Sequence, residues 1–519
     1  MPLSTSRGER RKLRATRRPT LIVRTLFVWL LFLAPVGLTR AFGEPATNET
    51  DSLPESRRID RLEKSLESVI AENERLGAEN ARLAEDIRQL QQQSPFQPSV
   101  ESPESEWTTV PTVSSGNLKA ISASEYRVGY DGGFVIFPEE DDESPFSLKI
   151  NSQTTFRYSG FLSETSEWTD SAGNVTPLVS SSNFLIPRGR LILSGKALLP
   201  DLTYLVNIDY NSATSNPIGF RAYALNYKFS RAFTISVGQN KVPGTREWIG
   251  SSFVAQEGPD RTMATTFFRP SLSQGIWCTG EPADGWFYHA MISNGFNTLN
   301  LRPSQLDNRA CWSGSTWWEP WGAFGPGYSD LEAHEQPAVR LGGSYTFSME
   351  QGSQSNNNAP ENSSIRLSDG TLITQQGAFA PGVTLTQFNI SLLALDLAFK
   401  YQGISLSTEG YYQNLLGLEG NGPIPRSSTQ AYGGFVQGGY FVIPQEVELY
   451  TRTSVVTGDY GTGNEYAGGF NWFILPGKSN LRFTADTAWL HNSPADQNRT
   501  GFVAGQTGLL IRTQITASF

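Results

Sequence analysis

From about residue 126 to its end the chain alternates. Apolar side chains recur at every second position, polar ones fill the gaps, and the pattern breaks at clusters of Gly, Pro, Asn and Asp. In the last nine residues Ile511, Thr513, Ile515, Ala517 and Phe519 fall on one face, and Arg512, Gln514, Thr516 and Ser518 on the other. A period of two is that of an extended strand with one greasy and one wet face. The pattern predicts strands at Phe146–Ser159, Asn183–Leu198, Thr203–Tyr210, Phe220–Phe229, Phe233–Lys241, Gln274–Thr279, Trp286–Ile292 and Trp317–Trp321. It continues with Val339–Phe347, Phe388–Tyr401, Ile404–Asn414, Thr429–Val442, Val447–Val456, Glu465–Phe473, Leu481–Leu490 and Gln506–Phe519, 16 in all. Short links at Pro200-Asp201, Ser230-Arg231, Gln402-Gly403, Pro444-Gln445 and Pro476-Gly477 alternate with long ones. An even strand number with short links on one side and long links on the other is the signature of a transmembrane barrel. Closure is obligatory, because no lipid-facing sheet edge can leave its hydrogen bonds unmade.

The first quarter of the chain follows other rules. Residues 1–43 read as a signal peptide: a basic region, an apolar core from Leu26 to Leu33, and small residues in Ala41-Phe42-Gly43. Residues 44–54 form a short linker. Within 55–93, Ile59, Leu66, Asn73, Asn80 and Ile87 recur at one heptad position and Leu62, Val69, Leu76, Leu83 and Leu90 at the other, which predicts a coiled coil. Residues 94–125 are a Ser/Pro-rich linker. The architecture expected is all-β and membrane-embedded. It is a 16-stranded antiparallel transmembrane β-barrel over 126–519, preceded by an α-helical coiled coil in the periplasm.

Composition excludes some alternatives. Hydrophobic residues are 38% and mean hydropathy is −0.32, and past the amino terminus no run of about 18 apolar residues occurs, so this is no helical membrane protein. A net charge of −9 gives no sign of nucleic-acid binding. His289, His334 and His491 lack metal-ligand spacing, and no nucleophile with a base partner or phosphate-cradling glycine loop occurs. No enzyme, metal or cofactor is therefore expected. Cys278 and Cys311 leave two alternatives, a disulfide or two thiols.

Alternation also predicts which cations face the lumen. Leu148, Ile150, Phe156 and Tyr158 face lipid, so Lys149 and Arg157 face inward; Leu185, Leu191 and Leu193 face lipid, so Arg188, Arg190 and Lys196 face inward. The same rule turns Arg452, Arg482 and Arg512 inward. Because the first, second, fifteenth and sixteenth strands are neighbours in a closed barrel, their cations are expected to form one basic wall. Arginine suits phosphate, since its fork donates two hydrogen bonds to one anion and keeps its charge. The competing reading pairs these cations with lumen carboxylates such as Asp209, Glu409, Glu448 and Asp486.

Several segments, in their order and spacing, resemble the phosphate-selective porins O and P. They are Asp131-Gly132-Gly133-Phe134, Phe184-Leu185-Ile186-Pro187-Arg188-Gly189-Arg190-Leu191, Val206-Asn207-Ile208-Asp209-Tyr210, Val237-Gly238-Gln239-Asn240-Lys241-Val242-Pro243, Gly433 to Phe441, and Glu448-Leu449-Tyr450-Thr451-Arg452. The resemblance covers the barrel and implies a sixteen-stranded, trimeric outer-membrane channel with its third loop folded into the pore; the coiled coil lies outside the family's basic barrel. It places Lys241 at the narrowest point and makes 243–263, with Arg246, Glu247, Trp248, Glu257, Asp260 and Arg261, the constriction loop. That loop shows no cluster of cations, which argues against a tight phosphate site. The loop at about 293–316, with Cys311 and Trp312, is expected to be an extracellular cap. Three functions stay open: passive diffusion of small anions such as phosphate, a general porin for small polar solutes, or a tether from outer membrane to cell wall through the coiled coil. The partners expected are small anions, outer-membrane lipid and two further copies of the chain.

Overall fold

The computed structural model describes residues 126–138, 146–215, 218–250, 256–299, 301–352, 360 and 364–519. The expected signal peptide, coiled coil and linkers lie outside the described residues. A hairpin of β1 (Tyr126–Tyr130) and β2 (Phe134–Pro138) comes first. Then follow β3 (Leu148–Ser163), a small outlying hairpin of β4 (Glu167–Thr169) and β5 (Val175–Pro177), β6 (Ser181–Ala197), β7 (Leu199–Tyr210), β8 (Ile218–Ser230) and β9 (Phe233–Lys241). After a loop come β10 (Leu272–Ala283), β11 (Trp286–Ser293), β12 (Cys311–Trp318), β13 (Ala338–Gln351), β14 (Leu385–Tyr401) and β15 (Ile404–Gly420). The chain ends with β16 (Ser428–Ile443), β17 (Val447–Gly458), β18 (Gly461–Phe473), β19 (Leu481–His491) and β20 (Gly508–Ser518).

Each strand from β6 onward pairs antiparallel with its predecessor in the wall, and β20 returns to β3, Gln514 opposite Arg157, which closes sixteen strands into a barrel. The wall therefore has no open edge, as a lipid-facing sheet requires. Strand β2 pairs with the first residues of β3, beyond the end of β20. Outward positions carry an apolar belt that includes Phe156, Leu191, Leu225, Val237, Ile276, Leu395, Leu406 and Leu449. Outward Trp286 and Trp318 stack at 5.5 Å, as aromatic side chains do at a membrane interface. No helix among the described residues is long and apolar enough to cross a membrane; the crossing elements are strands.

Some expected boundaries move. β6 joins β7 through Leu198 in the left-handed conformation (φ 66°), so Pro200 and Asp201 lie inside β7 rather than in a turn. The eighth barrel strand is Cys311–Trp318, not Trp317–Trp321. Its inward row is Cys311, Ser313, Ser315 and Trp317, so apolar alternation is faint, and pairing with β11 and β13 specifies the strand instead. Cys311 and Trp312 thus belong to the wall and not to a cap. The cysteines form no disulfide. Cys278 shares the outward face with Ile276, opposite Ala290, whereas Cys311 is buried on the inward face, opposite Ser293. The link between β12 and β13 at residues 319–337 is also long, although it lies on the rim where the other turns are short.

The lumen is not an empty bore. Phe388, Ile390 and Leu392 of β14, Leu415 of β15, Val456 of β17, Leu490 of β19 and Leu510 of β20 form one buried cluster with Ile365, Leu367, Ile373 and Phe502 of the long loops. Full burial contributes about 1.5–3 kcal/mol per large apolar side chain. Inward positions on the other side, such as Thr203, Leu205, Asn207, Asn226, Ser315 and Trp317, stay partly exposed.

Candidate functional site at the constriction loop

Between β9 and β10 the chain runs through two short helices, α1 (Arg246–Ile249) and α2 (Met263–Phe268). Each starts where a threonine can cap it: Thr245 accepts from Trp248 N at 3.2 Å, and Thr262 accepts from Thr265 N at 3.2 Å. Wall carboxylates meet both helix starts. Glu409 of β15 accepts from the N–H groups of Arg246 and Glu247 at 2.6 and 3.1 Å, and Glu465 of β18 accepts from Met263 N at 2.7 Å. Met263 and Phe268 enter the apolar cluster. These contacts fold the loop inward against the wall.

Five wall side chains then hold its middle. Arg157 donates to Pro259 O at 2.8 Å, Arg452 to Asp260 O at 2.7 Å, Arg482 to Gln256 O at 2.7 Å and Asn471 to Glu257 O at 2.7 Å. The Asp260 carboxylate, fully buried, accepts from Arg157 at 3.0 Å and from both terminal nitrogens of Arg188. Burial alone would raise the Asp260 carboxyl, but Arg188 and Arg157 overcome this and hold it well below the usual range. Arg452 also pairs with Glu465 at 2.6 Å and Arg512 with Asp486 at 2.6 Å. The arginines of β3, β17, β19 and β20 are thus neutralised or bound to carbonyls, rather than lined up as a bare basic wall. Lys149 pairs with exposed Asp131 at the turn rim, and Lys196 is exposed there.

A second group of cations lies outside these direct pairs. Around the Trp248 ring stand Arg269 at 4.2 Å, Arg261 at 4.9 Å, Lys241 at 5.2 Å and Arg221 at 5.7 Å from its centroid. None of these four makes an ion pair among the described residues. Lys241 donates to the carbonyls of Ile249 and Gly250, Arg261 to those of Glu247, Trp248 and Gly250, and Arg269 to that of Pro270. Arg188, Arg221, Arg261, Arg269 and Arg499 line one cavity of about 150 Å³ with Trp248 and Asp209. Asp209 is shared by Arg499 at 2.5 Å and Arg190 at 3.8 Å. The loop does contribute cations to a cluster: Arg261 belongs to it, and Arg269 sits just past the segment expected to matter.

Residues 169–516 match the sequence model of phosphate-selective porin O and P. The chain belongs to the phosphate-selective porin O and P family. It is an outer-membrane porin, with the family's closed barrel and a loop folded inside it. No curated protein matches it. Among solved structures, the trimer form of in-vitro-folded OmpT, an outer membrane protein of Vibrio cholerae, is 13% identical over 72% of this chain and 100% of that one, with a TM-score of 0.45. An anion-selective porin from Comamonas acidovorans is 10% identical over 72% and 100%, with a TM-score of 0.45. The outer membrane channel DcaP of Acinetobacter baumannii is 9% identical over 73% and 99%, with a TM-score of 0.41.

Two features of the porin had weak sequence signals. Arg221 turns inward at a register shift opposite Asn207 and Ile208, after which Ala222 and Ala224 are the buried positions. A strict two-residue period across that bulge assigns the rest of β8 to the wrong face. The second is the 319–337 segment, which enters the lumen from the turn rim. Phe324 and Tyr328 flank the Arg246 guanidinium at 5.1 and 4.4 Å, Ser329 donates to Glu448 at 2.8 Å, and buried Lys400 donates to Phe324 O at 3.1 Å. It also gathers Asp330, Glu332 and His334. His334 Nδ1 lies 2.5 Å from Asp330, Asp330 accepts from Gly403 N at 2.7 Å, and Lys400 lies 3.4 Å from Glu332, so the ligand atoms already have partners. Glu247 accepts from Thr262, and Glu257 from Ser405. Burial, then the nearby Glu448 carboxylate, push the Glu257 carboxyl well above the usual range.

Proposed function

We propose that this porin conducts small anions, inorganic phosphate among them, past the basic cavity beside Trp248. The observation that carries the reading is the set Arg221, Arg261 and Arg269, which line one cavity and, like Lys241 beside the Trp248 ring, make no ion pair among the described residues. Like charges brought this close in a narrow lumen demand a counter-ion, and screening is weak within a Debye length, about 8 Å at physiological ionic strength. Guanidinium forks favour an oxyanion. The paired charges of β17–β20 serve the loop's position and leave selectivity to the cavity.

The proposed setting is a homotrimer in outer-membrane lipid, joined through the barrel and the coiled coil, with 1–43 removed on export and the 55–93 coiled coil in the periplasm. Chemical cross-linking that yields no species above a dimer removes the trimer. Planar-bilayer chloride currents titrated with phosphate test the anion path. Phosphate should block saturably, and Arg221→Gln with Arg269→Gln should raise the half-blocking concentration at least tenfold, while Lys196→Gln leaves it unchanged. A chloride current indifferent to phosphate supports the general-porin reading instead.

A further inference from the structure

The basic cavity contains a donor that charge alone does not explain. The Trp248 indole is 3% exposed and its Nε1–H has no hydrogen-bond partner among the described residues. Among the described residues the buried Nε–H of Arg269 likewise has no partner, and both residues line the same cavity. An unmet buried N–H costs free energy, and folded proteins keep few of them. Here two such donors adjoin a space of about 150 Å³, room for about five waters at 30 Å³ each.

We propose that Trp248 Nε1–H donates a hydrogen bond to the anion in this cavity, making Trp248 a residue that favours oxyanions over halide. The proposal rests on the anion-path reading above. Trp248 is well held for the task. Its backbone N–H donates to Thr245, its carbonyl accepts from Arg261, and the ring is flanked by Arg261 and Arg269 at 4.9 and 4.2 Å. A tetrahedral oxyanion offers oxygens on different sides, so one can meet Trp248 Nε1–H while others take Arg269 Nε–H and the Arg221 fork. A halide is a single sphere and gains little from donors fixed in separate directions. The indole, neutral and rigid, adds direction without adding to the repulsion among the cations.

The test compares the full-length porin with Trp248→Phe, and with Trp248 replaced by the isosteric benzothienylalanine, whose sulfur takes the place of the N–H. Chloride conductance and phosphate block are read in the same bilayers. Loss of one hydrogen bond to a charged acceptor should raise the half-blocking phosphate concentration about tenfold, well beyond any change in chloride conductance measured in phosphate-free buffer. Equal block in wild type and both variants overturns the role of Trp248 and leaves the anion path standing. A parallel change in chloride conductance for the isosteric variant also overturns it, by making Trp248 structural. Absence of block in wild type removes the underlying reading.

Discussion

Asp260→Asn removes the one carboxylate at the centre of the loop's attachment. Its oxygens take hydrogen bonds from Arg157 and Arg188, and all three side chains are almost entirely buried. At an effective dielectric of about 20, one such pair at about 3 Å attracts by about 5 kcal/mol. Desolvation offsets part of that, and removing one partner of a buried pair costs about 3–5 kcal/mol. The two arginines do not double the figure, because Arg157 keeps Gln514 and the carbonyls of Pro259 and Arg499. Arg452, Arg482 and Asn471 still hold neighbouring carbonyls, so the barrel should fold while its loop loosens. Guanidinium unfolding of the detergent-folded porin should show the midpoint falling at neutral pH, and single-channel records should show more open-channel noise. In wild type the same contribution is present above the ordinary aspartate pKa of about 3.9 and is lost only as pH falls through the lowered value. An unchanged midpoint with quiet channels would refute the assignment of Asp260 as the loop's anchor.

Other outcomes follow from neighbouring contacts. Because the folded porin holds Glu257 protonated above the usual carboxylate range, its contribution is full below about pH 4.3 and fades as pH rises through the raised value. Glu257→Gln should flatten that part of the pH–stability curve. A Cβ on Gly439 would collide with the Glu257 and Glu448 carboxylates, so Gly439→Ala should cost about 1–3 kcal/mol by the same unfolding assay. Maleimide labelling of the denatured, unreduced porin should modify both Cys278 and Cys311; one bridged pair resistant to labelling would contradict their placement on opposite faces.

The strand count, the closing pair and the inward arginines were legible because alternation reports directly on the two faces of a lipid-embedded wall. Arg157, Arg188, Arg190, Arg452, Arg482 and Arg512 all face inward and are buried, as the period of two requires. Their task was legible only in part: Arg190 and Arg512 pair with Asp209 and Asp486, as the competing reading had it, whereas the other attachments depend on loop atoms from elsewhere in the sequence, where Pro259 and Asp260 meet β3, β6 and β17. The basic cavity escaped for the same reason. Its cations come from β6, β8, the segment between β9 and β10, and Arg499 near the carboxyl end, and the bulge at Arg221 breaks the period that would have grouped it. β12 was misplaced because serines and a glycine fill it, leaving pairing rather than hydrophobicity to define the strand. The 319–337 segment carries aromatic and acidic residues that resemble a surface loop until Arg246 and Lys400 are seen beside them.

The most direct test of the account is the reversal potential in a planar bilayer under a KCl gradient. The account predicts the sign of an anion-selective channel, moved toward zero when Arg221→Gln and Arg269→Gln empty the cavity of two charges. A cation-selective channel, or an anion preference that both substitutions leave intact, would contradict it.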